Sequence, residues 1–225
     1  MKVLGLAELA PTPLSVPSEM ITGMTATAAE YLWFEHNFSE LANAYCITLV
    51  RGLSPADVLH RLDGRREPPR TGADEADEAA YDLLSADDSR QLLAMTTVGG
   101  WTLIIEPNGY LGVSEEWALP APAGTRWVSH FVNINGLDAF VWAEDTTKCL
   151  WFEPMFPDER LGTTPDGLLQ PMHGVGFQFW AETSDTADSL AGPAAFALAG
   201  YLTGVRVTAE LLRETTFVCG SATCR

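Results

Sequence analysis

Trp101-Thr102-Leu103-Ile104-Ile105-Glu106, then Pro107-Asn108-Gly109, then Tyr110-Leu111-Gly112-Val113, is the stretch on which the reading of the fold turns. A short apolar run closed by turn residues is a strand signal. Asn-Gly supplies positive φ angles at little steric cost, so a hairpin is expected there, with Tyr110–Val113 as its return. Upstream, Leu92–Thr97 followed by Gly99-Gly100 reads as a preceding strand. Downstream, Arg126–Ile134 reads as a long strand, Asn135-Gly136 as a second hairpin turn, and Asp138–Ala143 as its return. Asp145-Thr146-Thr147 then turns the chain into Lys148–Glu153. Strands joined by short turns predict an antiparallel meander of about five or six strands, not a parallel nucleotide-binding sheet.

Outward from this middle, the pattern becomes helical. Thr25–Phe34 offers a Thr start and helix formers. Phe38, Leu41, Ala42, Tyr45, Cys46 and Leu49, widened by Ile47 and Val50, recur at three- and four-residue steps and predict a buried helix ended by Gly52. Ser54-Pro55-Ala56-Asp57 restarts a helix with a cap, a proline at the first position and an acid three residues on. Arg65–Asp88, with Pro68-Pro69 and a run of acids, reads as a solvated acidic loop holding a short helix around Glu78–Leu84. After Glu153, Asp166 is expected to cap a short helix through Met172, and Val175–Phe179 alternates like a strand. Thr186–Thr203 reads as an Ala/Leu helix interrupted at Gly192-Pro193 and ended by Gly204, and Thr208 caps a final short one. The expected architecture is α+β: one domain over residues 25–220, helices on one face of the sheet, a tail at 1–24 and a second at 221–225.

Apolar residues make up 47% of the 225 and aromatics 10%, enough for a packed core. Thirteen Lys and Arg oppose 30 Asp and Glu, a formal charge of -17. Nucleic acid and anionic membranes would be approached against a repulsive field, so neither is an expected partner; the charge suits a protein that must stay soluble, or one whose partner is basic. No run reaches the roughly 18 apolar residues of a membrane span, and Glu8 and Pro11 interrupt the start before it can form a signal peptide. A cytoplasmic location is therefore expected. Met20 and Met24 are alternative starts to Met1. Cys46 and Cys149 read as small buried hydrophobes. Cys219 and Cys224 have the spacing to close a small disulfide, although reduced thiols are the expected state of all four.

Catalytic signatures are thin. Ser129 and His130 are strand neighbours and point to opposite faces. No Gly-x-Ser-x-Gly turn is present, and His36, His60, His130 and His173 are scattered. Asp74–Glu78 lacks the pattern of a calcium loop. No catalytic, cofactor-binding or metal-ligating residue is assigned. Glu106 and Glu153 each close an apolar strand and precede a proline, and with Asp166 they could line a carboxylate cleft. Asn108 sits at the turn beyond Glu106. Trp127 and Trp142 belong to an aromatic set on the strands that is either an exposed partner surface or half of a two-sided core.

Trp33-Phe34, Ala44–Leu53 (AYCITLVRGL), Trp101–Gly109 (WTLIIEPNG), Leu202–Thr208 (LTGVRVT) and Phe217–Gly220 (FVCG) together resemble an uncharacterised actinobacterial family of unknown function, over roughly residues 25–220. That resemblance implies no activity, ligand or site residue. A looser likeness, in charge and architecture alone, is to the SMI1/KNR4-like immunity proteins. The leading expectation is a non-enzymatic protein-binding protein of immunity, antitoxin-like or regulatory type. A small-molecule-binding protein or enzyme with a carboxylate-lined cleft is the alternative, and a structural subunit of a larger assembly is the third.

Overall fold

Residues 26–179 and 190–224 are described by the computed structural model. Nine strands form one sheet: β1 (Tyr45–Arg51), β2 (Arg65–Thr71), β3 (Arg90–Val98), β4 (Trp101–Pro107), β5 (Arg126–Val132), β6 (Asp138–Glu144), β7 (Thr147–Phe152), β8 (Arg160–Leu161) and β9 (Thr216–Thr223). Their order is β2-β9-β3-β4-β1-β5-β6-β7-β8, and every neighbouring pair is antiparallel. The antiparallel middle is thus as expected, while the strand count exceeds five or six.

The extra strands come from segments that read otherwise. Tyr45–Arg51 is no helix; β1 lies at the centre of the sheet, between β4 and β5. Cys46, Ile47, Leu49 and Val50 are all buried because both faces of the sheet are covered. A strand buried on both sides is apolar at every position and loses the alternation that would mark it. Arg65–Asp88 is not a loop but edge strand β2 followed by helix α4 (Gly72–Ala86). Pro68-Pro69 sits where the β2–β9 register breaks, between Glu67 and Arg70. An edge strand tolerates that, since proline has no N–H to give. The expected tail at 221–225 is, through Thr223, the end of β9, inserted between β2 and β3.

Two turns are also reassigned. The hairpin partner of β4 is β3, joined through Gly99 and Gly100 at φ of +56° and +83°. Tyr110–Val113 is no strand: after Asn108, itself at φ +51°, the chain makes a short 3-10 turn at Leu111–Val113 across one face. Val175 ends a helix and Phe177–Phe179 pair with no strand.

Eight α-helices accompany the sheet among the described residues. These are α1 (Trp33–Asn37), α2 (Ser39–Asn43), α3 (Pro55–Arg61), α4, α5 (Glu115–Ala118), α6 (Leu169–Val175), α7 (Ala191–Thr203) and α8 (Ala209–Glu214). Ser54 caps α3 through a reciprocal pair with Asp57, Thr208 accepts from Leu211 N at the start of α8, and Gly204 ends α7 in the left-handed region, as their sequences predict. α6 starts at Leu169 rather than at a cap on Asp166. The expected start of α7 near Thr186 lies outside the described residues, as does the tail at 1–24. No described helix is long and apolar enough to cross a membrane.

Helices on one face alone is corrected to cover on both. Leu49, Leu103, Ile105, Val128, Phe140 and Trp142 share the larger core with α7 residues such as Phe196 and Leu198 and with Ala73 and Ala76 of α4. Val50, Leu93, Met95, Ile104, Trp127 and Val141 face the other way, against Val58, Leu59 and Leu62 around α3 and Leu111, Ala118 and Ala121 around α5. The strand aromatics are therefore a two-sided core: Trp127 and Trp142 lie on opposite faces, and both are buried.

Candidate functional site

Glu106 organises one end of the sheet. It is the last acid of β4, directly opposite Cys46 of β1, and its side chain is 1% exposed. The carboxylate oxygens accept from the backbone N–H groups of Leu111 (2.8 Å) and Gly112 (3.0 Å), so the 3-10 turn folds back onto the strand. Burial raises the Glu106 pKa to about 7 against the lowering effect of these donors and the Cys46 thiol. Beneath Gly112 lie Thr48 and Ser129, whose hydroxyls are 2.7 Å apart. A Cβ at Gly112 would collide with Thr48 Oγ1 and stand 2.7 Å from Cys46 Sγ, so the turn approaches this closely only as glycine. Trp127 Nε1 donates to Gly112 O at 2.9 Å. Glu106 and Trp127 thus clamp one turn from two sides.

What the clamp holds in place is the wall of a surface groove of about 450 Å³. Its lining takes Asn108 and Tyr110 from beside the clamped turn, Asp77, Tyr81 and Leu84 from α4, and Ile134 from the β5–β6 connection. Gln91 Oε1 accepts from Tyr110 N (3.1 Å), tying the turn to β3. Tyr81 is 73% exposed and Ile134 78%, both large apolar surfaces in the open. The pKa of Asp77 is raised by burial and then by the charges of Glu40, Asp74 and Glu78, so like charges crowd the α4 side of the groove. Arg90, the basic residue of the lining, is turned onto Ser221 of β9.

The other sequence-derived candidates do not gather here. Glu153 follows β7, level with Ala139, and four strand spacings separate β7 from β4. At ~4.8 Å each, that is about 19 Å from Glu106. Asp166 is exposed and bonded to Arg160 of β8 at 2.9 Å, one strand further out. Glu106 therefore shares no cleft with either. Trp142 Nε1 is satisfied by Glu144 at 2.9 Å. The groups that sequence reasoning passed over are Asp138 and Tyr45. Asp138 opens β6 two residues after the Asn135-Gly136 turn, a signal that it stands at a strand end beside a loop.

Around this geometry, the comparisons give one identification. The chain belongs to a family of unknown function, DUF6461, whose model matches residues 24–225. No curated protein and no solved structure matches it, and the looser likeness to the SMI1/KNR4-like immunity proteins gains no support.

Proposed function

We propose that this is a non-enzymatic binding protein whose groove receives a basic, partly apolar segment of a protein partner. One observation carries the reading: Tyr81, Leu84, Tyr110 and Ile134 expose apolar surface in a groove bounded by Asp77 and Asp88, on a chain of net charge -17. Exposed apolar surface with a charged rim, here two acids against one Arg, is the pattern of a docking site. The acids add encounter rate and selection against acidic competitors; the apolar anchors add affinity. Trp127, Phe140 and Trp142 of the sheet have no part in it, because they are core; half-buried Phe131 of β5 joins the lining.

Random peptides selected on the immobilised full chain test this. Enriched sequences are expected to place Lys or Arg around an aromatic or aliphatic anchor and to bind more weakly as salt rises. Tyr81→Ala and Ile134→Asp should each weaken the selected peptides about tenfold, as loss of an apolar anchor does. Selection without a basic excess, or affinities untouched by both substitutions, would overturn the reading.

A further inference from the structure

A second cavity, of about 220 Å³, shares Val132 with the groove but is otherwise walled by different residues. Tyr31, Phe34, Tyr45 and Phe196 supply aromatic walls, with Phe34 and Phe196 centroids 4.7 Å apart and Phe34 and Tyr45 5.1 Å apart. Two carboxylates, Glu35 of α1 and Asp138 of β6, line it as well. Neither has an ion-pair partner among the described residues, and the neighbouring charge of Glu153 adds to that of Asp138. Asp138 accepts from Met155 N at 3.1 Å and from its own backbone N–H, two of the roughly four lone-pair sites a carboxylate offers.

Behind the wall, Tyr45 Oη lies 3.2 Å from His130 Nδ1. The His130 ring is neutral, because burial drives its pKa down to about 3, and its Nε2 is buried with no partner among the described residues. In the Nε2–H tautomer, Nδ1 accepts the Tyr45 O–H, and the phenol oxygen keeps its lone pair for a donor. Glu35 and Asp138 both act electrostatically on that hydroxyl, so the three groups share one local field. The structure assigns this cavity to a small organic ammonium ion, with Asp138, Glu35 and Tyr45 as acceptors and the aromatic rings around its apolar part.

Three arguments favour that class. Aromatic faces attract a cation and cost nothing against an alkyl chain. Two carboxylates without a counter-ion reject anions and leave neutral ligands no advantage. The first turn of α7, Gly192 and Pro193, also lines the cavity and contributes about half a positive charge, but it is outweighed by two full negative ones, and Pro193 has no N–H to offer an anion. The space equals roughly seven water volumes at about 30 Å³ each, which admits a short alkylamine and excludes a nucleotide.

Calorimetric titration of the full chain with n-pentylammonium and with n-pentanol is the direct test. The amine is expected to saturate a single site at least about tenfold more tightly than the alcohol, since they share the alkyl chain and differ in the charge and donors of the head group. Its affinity should fall about tenfold between pH 7.5 and pH 5, as Asp138, whose pKa is raised to about 6 by burial, takes up its proton. Asp138→Asn keeps an acceptor for Met155 N and should lose about tenfold; Glu35→Gln, at an exposed rim position, should lose about threefold without risk to folding. Equal affinity for amine and alcohol, no saturable amine binding, indifference to both substitutions, or binding of a lysine peptide but not the free amine would each overturn the assignment.

Discussion

Glu106 and Asp138 stand at the same end of one sheet, on opposite faces, and burial raises both pKa values, to about 7 and about 6. Their surroundings separate them. Each oxygen of Glu106 is taken by a backbone N–H of the turn it closes. Asp138 accepts from Met155 N and its own N–H, with a like charge nearby in Glu153 and a cavity in front of it. A raised carboxyl pKa is a familiar mark of function, yet here it accompanies a structural latch as readily as a candidate ligand acceptor. The distinguishing feature is whether acceptor capacity is left over, and toward what it faces.

The comparison breaks most sharply at Glu106. Glu106→Ala removes the acceptor of two buried donors, Leu111 N and Gly112 N, and opens a void beside Cys46. Denaturant unfolding should show a loss of about 4 kcal/mol, the sum of two unsatisfied amides and a small cavity. Gly112→Ala attacks the same latch by overpacking against Thr48 and Cys46 and should cost about 3 kcal/mol. A loss below about 1 kcal/mol in both would mean that the turn is not held by the clamp and that the groove wall it supports can re-form without it.

Neither carboxyl's role could be read from the chain alone. Glu106 was legible as a residue of interest because it ends an apolar strand before Pro107, but its partners are backbone groups of the turn that follows, and that turn read as a strand. Asp138 carried no local signal beyond its turn, since its cavity is built by Tyr31, Phe34 and Phe196, which come from distant segments. The same physics governs the fold. The β3–β4 and β5–β6–β7 connections are local, and Gly99-Gly100 and Asn135-Gly136 mark them. β1 hid in a run apolar on both faces, β2 behind two prolines and charge, and β9 in a Gly/Ser/Thr tail whose small side chains make room for Leu59. That last fit is tight: a Cβ at Gly220 would collide with Leu59 Cδ2. Such strands exist only because neighbours far away in sequence complete them.

Asp138→Asn sharpens the contrast with a smaller effect of opposite sign. Asp138's folded pKa lies above the usual 3.8, so its contribution to stability is complete below about 3.8 and is lost as pH rises through about 6. The asparagine variant escapes that loss. Its stability relative to the parent should be level near pH 3 and climb to about +1 kcal/mol by pH 7, a figure discounted because the group is partly solvated. The difference curve is the right readout, since the parent's own profile mixes opposing terms. Glu106 loses stability as pH rises from 4.5 to about 7, whereas His130, its pKa depressed from 6.5 to about 3, gains it as pH rises through that window. A flat difference would place Asp138 in water and remove the cavity's main acceptor.

Glu153→Gln gives the finest separation. Among the charges acting on Asp138, Glu153 is the one that raises its pKa, while burial remains the larger cause. Removing that charge should move Asp138 down from about 6 by less than burial lifts it, and should leave Glu106, about 19 Å away, where it is. Carboxyl carbon NMR titration resolves both groups in one experiment. Because a lower pKa means a smaller burden at neutral pH, stability above pH 6 should rise slightly, by about 0.3 kcal/mol. A shift at Glu106 matching that at Asp138 would show that the two acids titrate as one coupled site, and the division between latch and acceptor would fail.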